Sequence, residues 1–131
     1  MSRMSTIDVK TTTKCELVDI TSLVRRAVRE SRVEAGIVCV FCPHTTAAVT
    51  IQENTDPSIK SDLLAYLGRM APHDVDSGEN SDAHVKSSLV GASEGLIVDS
   101  GRLVLGTWQG LFLCEFDGPR DRRVLVRVVP G

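Results

Sequence analysis

The last third of the chain, 96-LIVDSGRLVLGTWQGLFLCEFDGPRDRRVLVRVV-129, decides the fold. Apolar residues recur there in short runs divided by Gly, Asp and Pro, the pattern of strands joined by turns rather than of helices. Leu96 to Val98, Leu103 to Leu105, Trp108 to Phe116 and Arg123 to Val129 read as strands. Asp117-Gly118-Pro119-Arg120-Asp121 turns the chain between the last two. In the final strand Val124, Val126 and Val128 alternate with Arg123, Leu125 and Arg127, so the valine face is the one set to be buried.

Upstream, strands and helices mix. Thr6 to Thr13 is a threonine-rich strand pattern. Asp19-Ile20-Thr21-Ser22 offers N-cap side chains to a helix with Leu23, Val24, Ala27 and Val28 on one face and Arg25, Arg26 and Arg29 on the other, and Gly36 lies beyond its end. Ile37 to Cys42 is a continuous apolar run and predicts a buried strand. Asp56-Pro57 opens a second helix, because Asp caps free amides and Pro suits the first helical position. Ile59, Leu63, Tyr66, Leu67 and Met70 mark its buried stripe. The polar stretch APHDVDSGENSD, residues 71–82, predicts a loop. Ser81 then caps a short helix from Asp82 to Val90, ended by Gly91. This order predicts one α+β domain spanning residues 1–131 around a curved mixed or antiparallel sheet.

Bulk properties narrow the function. At 131 residues, with 24% charged residues and a net charge of −2, the chain has the length for a real core and no mark of disorder. A slightly acidic protein argues against a nucleic-acid binder. No apolar run approaches the ~20 residues of a membrane helix, and MSRMSTIDVK lacks the apolar stretch of a signal peptide. The expectation is a cytoplasmic protein with neither nucleic acid nor membrane as partner. Among four cysteines, Cys39 and Cys42 have CxxC spacing, but residues three apart on a strand point to opposite faces, so free thiols are expected rather than a metal clip.

Chemistry gathers in 44-HTTAAVTIQENTDP-57. On a strand, His44, Thr46, Ala48, Thr50 and Gln52 share one face, and Thr45, Ala47, Val49, Ile51 and Glu53 the other. The first face is polar yet uncharged apart from the imidazole. It either lines a pocket or subunit contact, or is a sheet surface rich in threonine because threonine suits strands. The three histidines, His44, His73 and His84, fall on a strand entrance, a coil and a short helix. They either form an open zinc-type site with water in the fourth position, or are each bonded structurally or facing solvent. Arg120, Arg122 and Arg123 cluster at the final turn, either as a phosphate clamp, which guanidinium forks suit, or as a solvated turn. Gly106-Thr107-Trp108-Gln109-Gly110 joins backbone amides to one large aromatic, either as a ligand contact or as a glycine-marked bend with Trp108 in the core. Glu53 is a base, a metal ligand or a partner of the next turn's amides; Asp56 is a cap. The acids Asp74, Asp76, Glu79 and Asp82 fail the EF-hand spacing, so calcium is not expected.

Taken together, HTTAAVTIQENTDP with Asp62 downstream, HDVDSGENSDAHVKSSLVG and GRLVLGTWQGLFLCEFDGPRDRR resemble the YjbQ-like family, also described as secondary thiamine-phosphate synthases, from about residue 6 to the end. The resemblance implies an α+β fold whose curved sheet closes into a barrel with flanking helices, and assembly as a homotrimer. It implies a transferase that joins a hydroxymethylpyrimidine diphosphate to a thiazole phosphate, with that reaction as a main or a side activity. A small phosphorylated ligand would then be the partner. His44, His73 and His84 match histidine positions of the family, which implies a shared site for a divalent metal, zinc or magnesium. Glu53, Asn54, Asp56, Asp62, Thr107, Trp108 and Gln109 match as well. Under this reading His44, His84 and Glu53 are catalytic, and Thr45, Thr46, Asn54, Thr107, Trp108, Gln109, Arg120 and Arg122 bind substrate. The chain departs from the family at Ala71-Pro72, where some members carry aromatics. A metal-dependent hydrolase using the three histidines, and a non-catalytic trimeric ligand-binding protein, are the competing functions.

Overall fold

The computed structural model describes residues 4–73 and 80–131. Among these the order is β1 (Met4–Lys10), β2 (Glu16–Asp19), α1 (Thr21–Ser31), β3 (Gly36–Phe41), β4 (Ala47–Glu53), α2 (Pro57–Met70), α3 (Ser81–Val90), β5 (Ser93–Asp99), β6 (Arg102–Leu103), β7 (Gln109–Glu115) and β8 (Asp121–Pro130). The strands form a five-stranded sheet, β1-β8-β3-β5-β6, and a three-stranded sheet, β2-β7-β4. Every described pairing is antiparallel. The sheets curl around one core as a half-barrel with flanking helices, the expected α+β architecture.

Alternation builds that core. Val124, Val126 and Val128 of β8, Val38 and Val40 of β3, and Leu111 and Leu113 of β7 face inward and are buried, and α1 closes over them with Val24 and Val28. Burying each such side chain stabilises the fold by roughly 1.5–3 kcal/mol. A smaller cluster of Ala48, Leu67, Ala83, Cys114 and Phe116 lies on the other face of the three-stranded sheet, under α2 and α3. Gly36 opens β3 where it meets the end of β8; a Cβ there would run into the Val129 carbonyl oxygen, so only glycine admits this approach.

Several local expectations are corrected. The run Ile37 to Cys42 is buried on one face only: Ile37 is 53% and Phe41 41% exposed. The N-cap of α1 is Ile20, whose side chain cannot cap; Asp19 compensates by accepting the Thr21 N–H at 2.9 Å. That helix ends at Ser31 with Arg32 left-handed at φ 58°, so Gly36 belongs to the next strand. Asp56 does cap α2, accepting the Ser58 N–H at 2.9 Å with Pro57 following. Of the expected stripe on α2, however, only Leu67 is fully buried, while Tyr66 and Met70 are 61% and 67% exposed. The N-cap of α3 is Asn80 rather than Ser81. Leu103 to Leu105 shortens to the two-residue β6. The loop expected over 71–82 falls, for residues 74–79, outside the described residues, as do Asp74, Asp76 and Glu79.

Candidate functional site

Arg122 shares the inward parity of Val124 and Val126, at the end of β8 where the barrel opens. On β7, Glu115 continues the inward row of Leu111 and Leu113 and is fully buried. The two meet as an ion pair plugging the mouth. Arg122 Nε donates to Glu115 Oε1 at 2.8 Å, and Nη2 donates to Glu115 Oε2, to Thr46 Oγ1 at 2.8 Å and to the Thr46 carbonyl at 3.2 Å. Thr11 Oγ1 donates to Glu115 Oε1 at 2.8 Å, and the Asp117 N–H donates to Oε2 at 3.0 Å. Burial alone would push the Glu115 carboxyl up, but these donors, Arg122 foremost, outweigh it and hold the group below the ordinary carboxylate range.

Above this pair lies a hollow of about 380 Å³ lined by Pro43, His44, Thr45, Thr46, Asn80, His84, Arg120 and Arg122. Arg120 forms its rim, with Nη2 donating to Asp117 Oδ2 at 2.8 Å and Nε to the Asp117 carbonyl at 2.7 Å. Asn80 Nδ2 donates to the same Asp117 carboxylate at 3.2 Å. Both arginines are thus oriented by buried or half-buried acids. Among the described residues Arg122 Nη1 makes no hydrogen bond, although Arg122 lines the hollow.

His44 Nε2 accepts the Arg123 backbone N–H at 3.0 Å, which places the proton of a neutral ring on Nδ1. Desolvation first, then the positive charge of Arg122, lowers its pKa, so the ring is neutral near pH 7 and offers a hydrogen bond rather than a charge. His73 is not part of the hollow lining. Its Nδ1 pairs at 3.1 Å with Asp82, which is buried and also accepts from Lys14 Nζ and Lys86 Nζ, each at 3.1 Å. Burial opposes the charge on Asp82, yet the bonds from His73, Lys14 and Lys86 hold its carboxyl far below the usual range.

The expected site residues therefore separate into groups. His44, His84, Thr45, Thr46, Arg120 and Arg122 come together at the start of β4. Glu53, Asn54, Thr107, Trp108 and Gln109 come together at its other end, six residue steps and about 20 Å away. There Asn54 Nδ2 donates to the Gln109 carbonyl at 3.1 Å and the Asn54 N–H to the Trp108 carbonyl at 2.9 Å. Glu53 is spent on the Thr55 N–H and hydroxyl, at 3.0 and 2.7 Å. Trp108 is 63% exposed rather than part of the core.

The two-residue row from His44 to Gln52 does not form one pocket face. The strand begins only at Ala47, His44 to Thr46 being irregular, and Ala48 is buried beneath the helices. Nor do the expected ligands gather around a divalent metal: His73 lies outside the lining that holds His44 and His84, and among the described residues no three His, Cys, Asp or Glu groups stand close enough to hold an ion. Sequence reasoning missed Glu115 and Asp117, which orient the arginines, and Asn80, which donates to Asp117. An acid closing the apolar run LFLCE was the available signal for Glu115.

Comparison with known proteins gives consistent matches along the chain. A family profile described as UPF0047 protein YjbQ-like matches residues 5–131. The UPF0047 protein YugU of Bacillus subtilis is 45% identical over 96% of this chain and 98% of its own length. The UPF0047 protein MJ1081 of Methanocaldococcus jannaschii is 48% identical over 92% of this chain and 90% of its own. Among solved structures, a Sulfolobus solfataricus YbjQ-like protein described as of unknown function superposes with a TM-score of 0.95 at 32% identity, covering 100% of this chain and 99% of that one. A Clostridium acetobutylicum protein superposes at 0.90 with 46% identity, covering 97% and 99%.

Proposed function

This chain belongs to the YjbQ-like UPF0047 family, and on that premise we propose that it is a small-molecule transferase holding the phosphate end of its substrate in the hollow at the barrel mouth. The observation that carries the reading is the buried Arg122, fixed by Glu115 and Thr46 with Nη1 left unbonded among the described residues, beside Arg120 and two imidazoles. A guanidinium oriented in advance stabilises developing phosphate charge without reorganising during the reaction.

The reaction proposed is of the thiamine-phosphate synthase type. The bond from the pyrimidine's methylene carbon to the diphosphate oxygen breaks, and diphosphate leaves with the electron pair. The lone pair of the thiazole nitrogen closes the new C–N bond, so no proton has to be removed. In this scheme Arg120 and Arg122 take the leaving diphosphate, while His44 Nδ1–H and His84 donate hydrogen bonds to its oxygens. Thr45 and Thr46 border the same space. A divalent cation, zinc or magnesium, enters as a counter-ion of the diphosphate, since among the described residues no three donors form its site.

A homotrimer belongs to the proposal. The outer face of the five-stranded sheet presents Ile37, Phe41, Ile97 and Val129 to solvent, and a contiguous apolar face of this kind favours association. A second copy is also the means by which Trp108 and Gln109 would approach the hollow of a neighbour. Cys15, Cys39, Cys42 and Cys114 are all free thiols, which suits a reducing cytoplasm.

Purified protein supplied with both substrates and magnesium is expected to form thiamine phosphate, read as fluorescent thiochrome after oxidation. Arg120→Ala and His84→Ala are each expected to lower turnover at least about tenfold. Binding of thiazole phosphate without any product would favour the non-catalytic binding protein. Release of phosphate that requires added zinc would favour the metal-dependent hydrolase.

A further inference from the structure

Away from the mouth, α1 and β6 form a separate concavity of about 260 Å³ lined by Arg25, Arg29, Arg102 and Leu103. It shares no residue with the hollow. Arg25 and Arg29 stand one turn apart on α1, so their side chains emerge on one face. Arg25 Nη1 donates to the Leu103 carbonyl at 3.3 Å, which draws that guanidinium toward β6 and toward Arg102.

None of the three arginines makes an ion pair among the described residues. Glu30 pairs with Arg26 at 2.9 Å, and the acids nearest Arg102, Asp99 opposite it in the β5–β6 register and Glu34 beside Gly101, pair with none of the three. Like charges one helical turn apart repel. A multiply charged anion seated between the three would relieve that repulsion, and its oxygens match the guanidinium forks. The concavity suits a small anion, and the overall charge of −2 disfavours a polyanionic strand.

We propose that Arg25, Arg29 and Arg102 form a second anion site, which takes a small phosphorylated anion of the diphosphate or phosphate-monoester class.

The test is a titration of ¹⁵N-labelled full-length protein at constant ionic strength, following the arginine Nε–H resonances. Inorganic pyrophosphate, inorganic phosphate, glycerol phosphate and a short single-stranded RNA are the probes. Pyrophosphate is expected to shift the Arg25, Arg29 and Arg102 signals saturably. Arg29→Gln and Arg102→Gln, both at exposed positions, should each weaken binding about tenfold, whereas Arg120→Gln in the hollow should leave it unchanged. Tighter binding of glycerol phosphate than of pyrophosphate would assign the site to a phosphate monoester, and the reverse to a free diphosphate. Shifts that are linear in concentration and reproduced by sodium chloride would overturn the site. So would saturation confined to Arg120 and Arg122, or preferential occupation of the three arginines by RNA.

Discussion

Arg122 and Glu115 occupy inward positions that valine and leucine fill elsewhere on the same two strands, so their charges depend on each other. Removing one partner from a buried pair leaves the other uncompensated, at a cost of about 3–5 kcal/mol. Glu115→Gln is expected to lose about that much in urea denaturation, and Glu115→Leu combined with Arg122→Met to recover part of the loss. An unchanged midpoint for Glu115→Gln would remove the pair from the account. The inward orientation of Arg122 was legible, because its parity matches Val124, Val126 and Val128. Its partner was not, since nothing in LFLCEF says which cation comes opposite after the turn. His44 carries a pH consequence. Its folded pKa is lowered by desolvation and Arg122, so below the unfolded value of about 6.5 the unfolded chain takes up a proton that the folded ring resists. Stability is therefore lost as pH falls below that point. His44→Gln should flatten this part of the profile, and denaturation at a series of pH values checks it.

At the scale of elements, β3 shows where periodicity reaches its limit. Its inner residues Val38 and Val40 meet the core, but Ile37 and Phe41 on the outer face are just as apolar. A pattern of side chains therefore reads as a strand buried on both sides, because composition cannot distinguish a face covered by this chain's core from one left exposed. The same ambiguity explains Tyr66 and Met70 on α2. The cysteines turn the issue into a measurement. Cys42 and Cys114 are buried, and burial pushes the Cys114 thiol up to about 12, so both should resist iodoacetamide until the protein unfolds. Cys39 lies on the outer face and is exposed in the protomer. Its labelling, followed by mass spectrometry, is expected to be fast in dilute protein and slow once copies associate. A rate independent of concentration would place the contact elsewhere.

For the whole molecule, the curled antiparallel sheets follow from alternation in the last third and from the glycine-marked turns, which is why the class was legible. The division of the expected site was not. Strand β4 carries His44–Thr46 at its entrance and Glu53–Asn54 at its exit, and adjacency in sequence hides about 20 Å of extended chain. Sequence proximity thus joined what one protomer holds apart. Ile37→Glu, a change at an exposed position of the protomer, is expected to yield a folded monomer by light scattering with reduced thiamine-phosphate formation. A mass equal to the wild type's would detach assembly from this face. The most direct test of the phosphate-holding mouth is a crystal structure of the protein grown with thiazole phosphate and diphosphate. Phosphate density against Arg122 Nη1, Arg120 and the imidazoles of His44 and His84 is the predicted result. A hollow holding only water, with phosphate bound elsewhere on the chain, would contradict it.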